Sequence, residues 1–173
     1  MKNGWILATC FVAFNVNAAA KPEHNPLAPR VPPDKIAAAK ALKSPVPGTP
    51  ENIAAGQVMF TTSSTCWTCH GKGGKGDGPA GLATAVGPRN FTTKEFHTAR
   101  TCGEMFWVAA NGTHGDFSKA GAPSHPDGSG MVSYLKGHTS ELGLRTTPSV
   151  ASEEDLWKIV LFERSLGGNV DCN

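Results

Sequence analysis

The chain has 173 residues, a formal net charge of +2 and 39% hydrophobic residues, a size that fits one small domain with a short extra segment. Basic and acidic residues are interspersed, and no basic stripe or run points to nucleic-acid binding. With 20 glycines, 13 prolines and no sustained strand alternation, the composition predicts an all-α domain of a few helices joined by long loops.

The first 20 residues have the layout of a secretory signal peptide. Lys2 precedes an apolar run from Trp5 to Phe14, and the small residues Ala18 to Ala20 form an A-x-A cleavage site. A bilayer span needs about 20 apolar residues, so the run is too short for a usual membrane helix. We therefore predict export, to the periplasm in a bacterium, with membrane association only if this segment is uncleaved.

Residues 21–50 are rich in proline and alanine, and we predict them to form a linker or arm. Proline fixes φ and lacks a backbone donor, which favours extended chain. Within the segment, Asp34 is placed to cap a short helix over residues 37–42. The folded domain is predicted to span residues 51–173.

A first domain helix is predicted from Thr49 as the N-cap and Pro50 at the first helical position. Ile53, Gly56 and Phe60 follow at helical spacing. A small residue and a ring therefore share one face, which a second helix could approach closely.

The motif Cys66-Trp67-Thr68-Cys69-His70 follows this helix. C-x-x-C-H is typical of c-type haem attachment, in which two thiols add to the porphyrin vinyl groups and the histidine ligates iron. Zinc would need a second ligand pair at metal spacing, and a redox dithiol would lie in a βαβ pattern; neither pattern is evident. We predict one covalent haem c, bound through Cys66, Cys69 and His70.

Three cysteines lie outside the motif. If Cys10 leaves with the signal peptide, Cys102 and Cys172 are the two thiols left in an oxidising compartment. We predict that they form a disulfide; two separate buried thiols are the alternative.

Two further helices have clear boundaries. Thr101 and Glu104 have the spacing of a capping box, and Asn111-Gly112 ends the helix that follows. Ser152 precedes a run of acidic residues, and Gly167-Gly168 ends the last helix. Apolar residues cover most of the circumference of this last helix, so we expect it to be buried against the first helix and the haem.

From about residue 52 to residue 166 the chain resembles the bacterial class I monohaem cytochromes c. Several pieces occur in the order of that family: Gly56 to Phe60, Cys69-His70-Gly71, Gly76-Asp77-Gly78-Pro79-Ala80, Pro88-Arg89-Asn90-Phe91, the helix ending at Asn111-Gly112, and Trp157 to Leu166. The resemblance implies a cytochrome c-like domain of three to five helices around one covalent haem.

The resemblance also implies a methionine as the sixth iron ligand. Met131 occupies that position, with the aromatic Tyr134 three residues later, but Val132 stands where the family has proline. Met59 and Met105 fit ordinary core positions. The alternative ligands are histidines, namely His97, His114, His125 and His138, each in surroundings typical of a solvated loop.

Other residues have expected roles around the haem. The resemblance implies that the Pro79 carbonyl accepts a hydrogen bond from His70, and Arg89 is a candidate partner for a haem propionate. Tyr134 and Trp107 are candidates for the pocket wall. Lys72 and Lys75, beside the motif, are candidates for a docking patch.

Together these features predict an electron-transfer protein and not an enzyme. His/Met ligation fills both axial positions, so such a haem carries one electron between redox proteins such as a dehydrogenase, an oxidase or another cytochrome. Two other interpretations stay open. One is a haem subunit bound permanently in an oxidoreductase complex; the other is an enzyme or gas sensor with an open iron site, if Met131 is not a ligand.

Overall fold

The computed structural model describes residue 25 and residues 27–81, 87–113, 131–135, 138–139, 145–146 and 152–172. Within these ranges six helices occur: α1 (Ile36–Ala41), α2 (Pro50–Thr61), α3 (Trp67–His70), α4 (Lys94–Ala99), α5 (Cys102–Asn111) and α6 (Glu153–Leu166). Two short strands, β1 (His138–Thr139) and β2 (Arg145–Thr146), pair antiparallel, with His138 opposite Thr146. The predicted all-α class is confirmed. The number of helices exceeds the expected three to five. Three of the six, α1, α3 and α4, are short, with six, four and six residues.

The long helices begin where their capping residues predict. The Thr49 hydroxyl accepts from the Asn52 amide, and the Ser152 hydroxyl accepts from the Asp155 amide. Thr101 and Glu104 form the complete capping box, which satisfies two backbone donors at the start of α5.

The predicted cap of α1 is wrong. The helix begins after Lys35, and no side chain caps it. Asp34 instead forms an exposed ion pair with Lys35, with 3.1 Å between the carboxylate oxygen and Nζ.

The core is organised by the crossing of α2 and α6. A Cβ atom at Gly56 would overlap the backbone carbonyl of Lys158, so the two helices approach to backbone contact. Beside this point the Phe60 ring, which is fully buried, meets the Phe162 ring edge-on at 5.2 Å between centroids. The close approach predicted from the Gly56 and Phe60 spacing is therefore confirmed.

Helix α5 also packs against α6. Phe106 and Trp157 stack at 4.2 Å with an interplanar angle of 9°. A disulfide joins Cys102, at the start of α5, to Cys172, as the cysteine count predicts. The C-terminal segment is thus covalently attached to α5.

The described part of the Pro-rich segment packs against the helices. Ala39 is fully buried, and a Cβ atom at Gly103 of α5 would overlap its carbonyl. Val31 and Val46 are also buried, and the Ser44 amide donates to the Cys172 carbonyl at 3.1 Å. The described part of residues 21–50, the arm, therefore covers α5 and the C-terminal segment. Residues 1–20, the predicted signal peptide, lie outside the described residues. Among the helices that are described, none has the length and apolar character needed to cross a membrane.

The α2–α6 crossing gives a direct test of the fold. Gly56→Ala should lower the free energy of unfolding by about 2 kcal/mol or more, because the new methyl group meets backbone that cannot move aside. Urea unfolding measures the change. Gly73→Ala is the control, since a Cβ atom there meets nothing within 4 Å; equal midpoints for the two variants would contradict the crossing.

Candidate cofactor site

The C-x-x-C-H motif forms a single helical turn after α2. Thr65 adopts a left-handed conformation, with φ of 52°, and reverses the chain before α3. The His70 amide then donates to the Cys66 carbonyl at 2.9 Å. Cys66 and Cys69 are free thiols, the first buried and the second half-buried. The turn therefore presents two unpaired thiols next to one imidazole.

His70 is buried and oriented by its neighbours. Its Nδ1 donates to the Arg89 carbonyl at 3.0 Å, and its ring stacks on Phe91 at 4.6 Å between centroids. Because a carbonyl can only accept, Nδ1 carries the proton and Nε2 keeps its lone pair. Burial lowers the pKa of His70 to about 4. The imidazole is thus neutral at physiological pH, the form that binds metals.

The carbonyl that accepts from His70 belongs to Arg89, so the assignment to Pro79 is wrong. Pro79 is exposed. Its loop lies on the carbonyl end of α3, where the Gly78 amide donates to Cys69 and the Ala80 amide donates to Thr68. One backbone bond on each side of Pro79 thus holds this loop on the carbonyl end of α3.

A second histidine supports the segment that orients His70. His97, on α4, is buried, and its Nε2 donates to the Phe91 carbonyl at 2.6 Å. Arg164 of α6 donates to His97 Nδ1 at 3.2 Å, which fixes this tautomer. Burial lowers the pKa of His97. The expectation of a solvated loop histidine is wrong here, since His97 is a buried link between α6 and residues 89–91.

A cavity lies beside His70. The apolar side chains that line it come from the arm, the segment after residue 87, α4, α5 and the residues before β1: Val31, Phe91, Phe96, Met105, Val108, Ala109 and Met131. Met131 therefore shares a cavity with His70, as a sixth ligand would require. His114 and His125 lie outside the described residues, and the side chain of His138 is not described.

Met105 also lines this cavity, although its position in α5 suggested an ordinary core thioether. It is buried, with 6% of its surface exposed. The described residues thus provide two thioethers to the cavity, one from α5 and one from Met131. Trp107 does not belong to the described lining.

Charged side chains form another part of the wall. Arg89 donates to the carbonyls of Asn25 and Ala28 at 3.0 and 2.7 Å, and Arg100 donates to the carbonyl of Leu27. Arg30 of the arm lines the cavity beside them. The two domain arginines thus bind the arm through its backbone. The sequence analysis identified neither Arg30 nor Arg100; Arg30 was missed because the arm was expected to lie outside the domain. The pairing of Arg89 with a propionate stays a prediction.

Tyr134 is buried and hydrogen-bonded to the Cys66 thiol. The pKa of Cys66 is raised to about 12, mainly by burial and to a lesser extent by the nearby charge of Glu163. Burial also raises the pKa of Tyr134. Tyr134 thus links the segment that follows Met131 to the C-x-x-C-H turn.

Glu163 is a site residue that sequence reasoning missed. It is 4% exposed and lines the cavity, and no hydrogen bond or salt bridge joins its carboxyl to another residue in the described ranges. Burial raises its pKa to about 8. The available signal was helical spacing, since Glu163 falls on the buried face of α6 with Leu156 and Ile159.

The raised pKa of Glu163 makes stability depend on pH. Between pH 4.5 and about 8 the unfolded chain releases this proton while the folded chain retains it, so the free energy of unfolding falls as pH rises. Glu163→Gln should remove this contribution. Its stability relative to the parent protein should increase across the window, as measured by urea unfolding at several pH values.

Glu153→Gln is the matched control, because it removes an exposed carboxylate from the first turn of the same helix. If the free energy of unfolding of the parent protein and of Glu163→Gln changed with pH in parallel, the burial of this carboxyl would be contradicted.

The chain was compared with protein-family models, curated protein sequences and solved structures. No protein-family model matches it, and no curated protein sequence matches it. Among solved structures, it is similar to the reducing HAO-like protein complex of Kuenenia stuttgartiensis, with 22% identity and a TM-score of 0.49. The match covers 70% of this chain and 46% of the other, so this chain spans less than half of that protein's length. A similarity at this level does not define a function.

The residues present fit a c-type haem. The two thiols are free, the adjacent imidazole is neutral with its Nδ1 already bonded, and the cavity beside it is largely apolar. A zinc site would need further donors, and the described residues contain no group of three or more His, Cys, Asp or Glu that could hold a metal ion.

Proposed function

We propose that the protein is an exported monohaem c-type cytochrome that carries single electrons between redox partners. Cys66 and Cys69 attach the haem, and His70 and Met131 are its axial ligands. The supporting observation is the pair of free thiols and the neutral imidazole on one turn, beside a cavity that Met131 also lines.

The chain's own residues bind, orient and shield the group. When bound, the haem would supply an Fe(III)/Fe(II) couple for single-electron transfer, and His70 and Met131 would hold its iron. The Arg89 carbonyl orients the His70 ring and increases its basicity as a ligand. Phe91 and Val31 cover the cavity and exclude water from it.

The proposed partners are other redox proteins, bound weakly and transiently as is usual for electron transfer. Lys72 and Lys75 lie exposed beside the motif, and Lys72 Nζ lies 5.6 Å from the centre of the Trp67 ring. They are the proposed docking lysines. Export through residues 1–20 would place the protein in the periplasm, where haem attachment is completed.

Haem attachment is tested by expression with the c-type maturation apparatus. The protein should contain one haem per chain by pyridine haemochrome assay, and the haem should remain on the chain in a denaturing gel. Replacing both Cys66 and Cys69 by Ala should abolish this signal. The matched control replaces Cys102 and Cys172 by Ser, which removes two cysteines outside the motif. Haem retention by the first double variant would disprove covalent attachment there.

The sixth ligand is tested by spectroscopy of the oxidised protein. A weak band at about 700 nm, implied for methionine ligation by the resemblance, should be lost in Met131→Ala, and carbon monoxide should then bind the reduced protein. Met105→Leu and Met59→Leu should keep the band. Loss of the band in Met105→Leu instead would assign the ligand to α5.

The same measurements separate the alternative functions. A high-spin parent protein that binds carbon monoxide readily would favour an open-site enzyme or sensor. Co-purification of the tagged protein with a redox enzyme at fixed stoichiometry would favour a permanent subunit.

A further inference from the structure

The segment 131–135 lies on the carbonyl end of α5. The last carbonyls of a helix have no partner within the helix, so other groups must satisfy them. Here the Tyr134 amide donates to the Ala109 carbonyl at 3.0 Å, and the Ser133 hydroxyl donates to the Ala110 carbonyl at 2.7 Å. Ser133 and Ala110 are both buried, so this side-chain bond is shielded from water.

A third bond fixes the residue before this pair. The Thr113 amide donates to the Met131 carbonyl at 2.9 Å. The chain at Gly112 has φ of +74°, and a Cβ atom there would lie 2.8 Å from the Met131 carbonyl and 2.9 Å from the Ser133 amide nitrogen. Glycine thus permits the backbone of Met131 to lie directly against the end of α5.

Val132 cannot stiffen the segment as a proline would. Proline fixes its own φ and restricts the residue before it, which here would be Met131. Val132 has neither effect, and its side chain is 39% exposed. The constraint on Met131 therefore comes from the bonds on either side of Val132, and the Ser133 side chain makes one of these bonds.

We propose that Ser133 is the positioning residue for the Met131 ligand, holding the ligand segment on α5 through the Ala110 carbonyl and thereby replacing the missing proline. This inference rests on the proposed His/Met ligation. Ser133 acts through the backbone of its own segment, so it is not itself a ligand. Its loss would also leave the Ala110 carbonyl buried without this donor, which favours release of the segment.

The test measures how easily an external ligand displaces Met131 in the oxidised holoprotein. Imidazole should bind Ser133→Ala about five- to tenfold more tightly than the parent protein, the factor expected for loss of one buried hydrogen bond. Ser133→Thr keeps the hydroxyl and should restore the parent affinity. Ser165→Ala is the matched control, since it removes a hydroxyl bonded to the Phe162 carbonyl on α6.

The outcomes distinguish this inference from the proposed function. If Met131→Ala removes the 700 nm band but Ser133→Ala binds imidazole like the parent, Ser133 is not a positioning residue. If Met131→Ala leaves the spectrum unchanged, the ligation itself is wrong and the inference falls with it.

Hydrogen exchange of the parent holoprotein provides a second measurement that requires no variant to fold. Saturating imidazole should accelerate exchange of the Tyr134 and Thr113 amides, because the segment leaves α5 together with Met131. Unchanged protection of both amides would overturn the proposal.

Discussion

The backbone contact between α2 and α6 at Gly56 is the constraint on which the rest of the structure depends. Helix α2 leads within a few residues to the C-x-x-C-H turn, and α6 contributes Glu163 to the cavity and Arg164 to the support of His97. Only a residue without a side chain permits this approach. The distance between the two helices therefore sets where His70 lies relative to the buried face of α6.

Backbone carbonyls orient the proposed ligands on both sides of the cavity. On one side His70 donates to the carbonyl of Arg89, while the neighbouring Phe91 carbonyl accepts from His97. On the other side, carbonyls in the last turn of α5 accept from the Ser133 hydroxyl and from the Tyr134 amide. In each case the bond fixes a loop and also satisfies a backbone carbonyl that would otherwise lack a donor in the interior of the protein. The same bonds therefore orient the proposed ligands and allow the carbonyls to be buried.

The charged side chains at the cavity have a related origin. The guanidinium groups of Arg89 and Arg100 bind carbonyls of the arm, which brings Arg30 to the cavity wall. Glu163 has no such partner in the described residues, so its neutral form is favoured. The cavity is thus lined by apolar side chains together with a few charged ones, which is how ligand cavities are generally built.

The sequence by itself determined the starts of α2, α5 and α6 and the disulfide, because caps and cysteine number are local or countable features. It could not determine that Arg89 and not Pro79 accepts from His70, that His97 is buried, or that Met105 and Glu163 face the cavity. Those facts depend on which segments meet in space. Arg89 lies 64 and 61 positions from Asn25 and Ala28, whose carbonyls it binds. Tertiary packing alone decides a contact between residues so far apart in the chain.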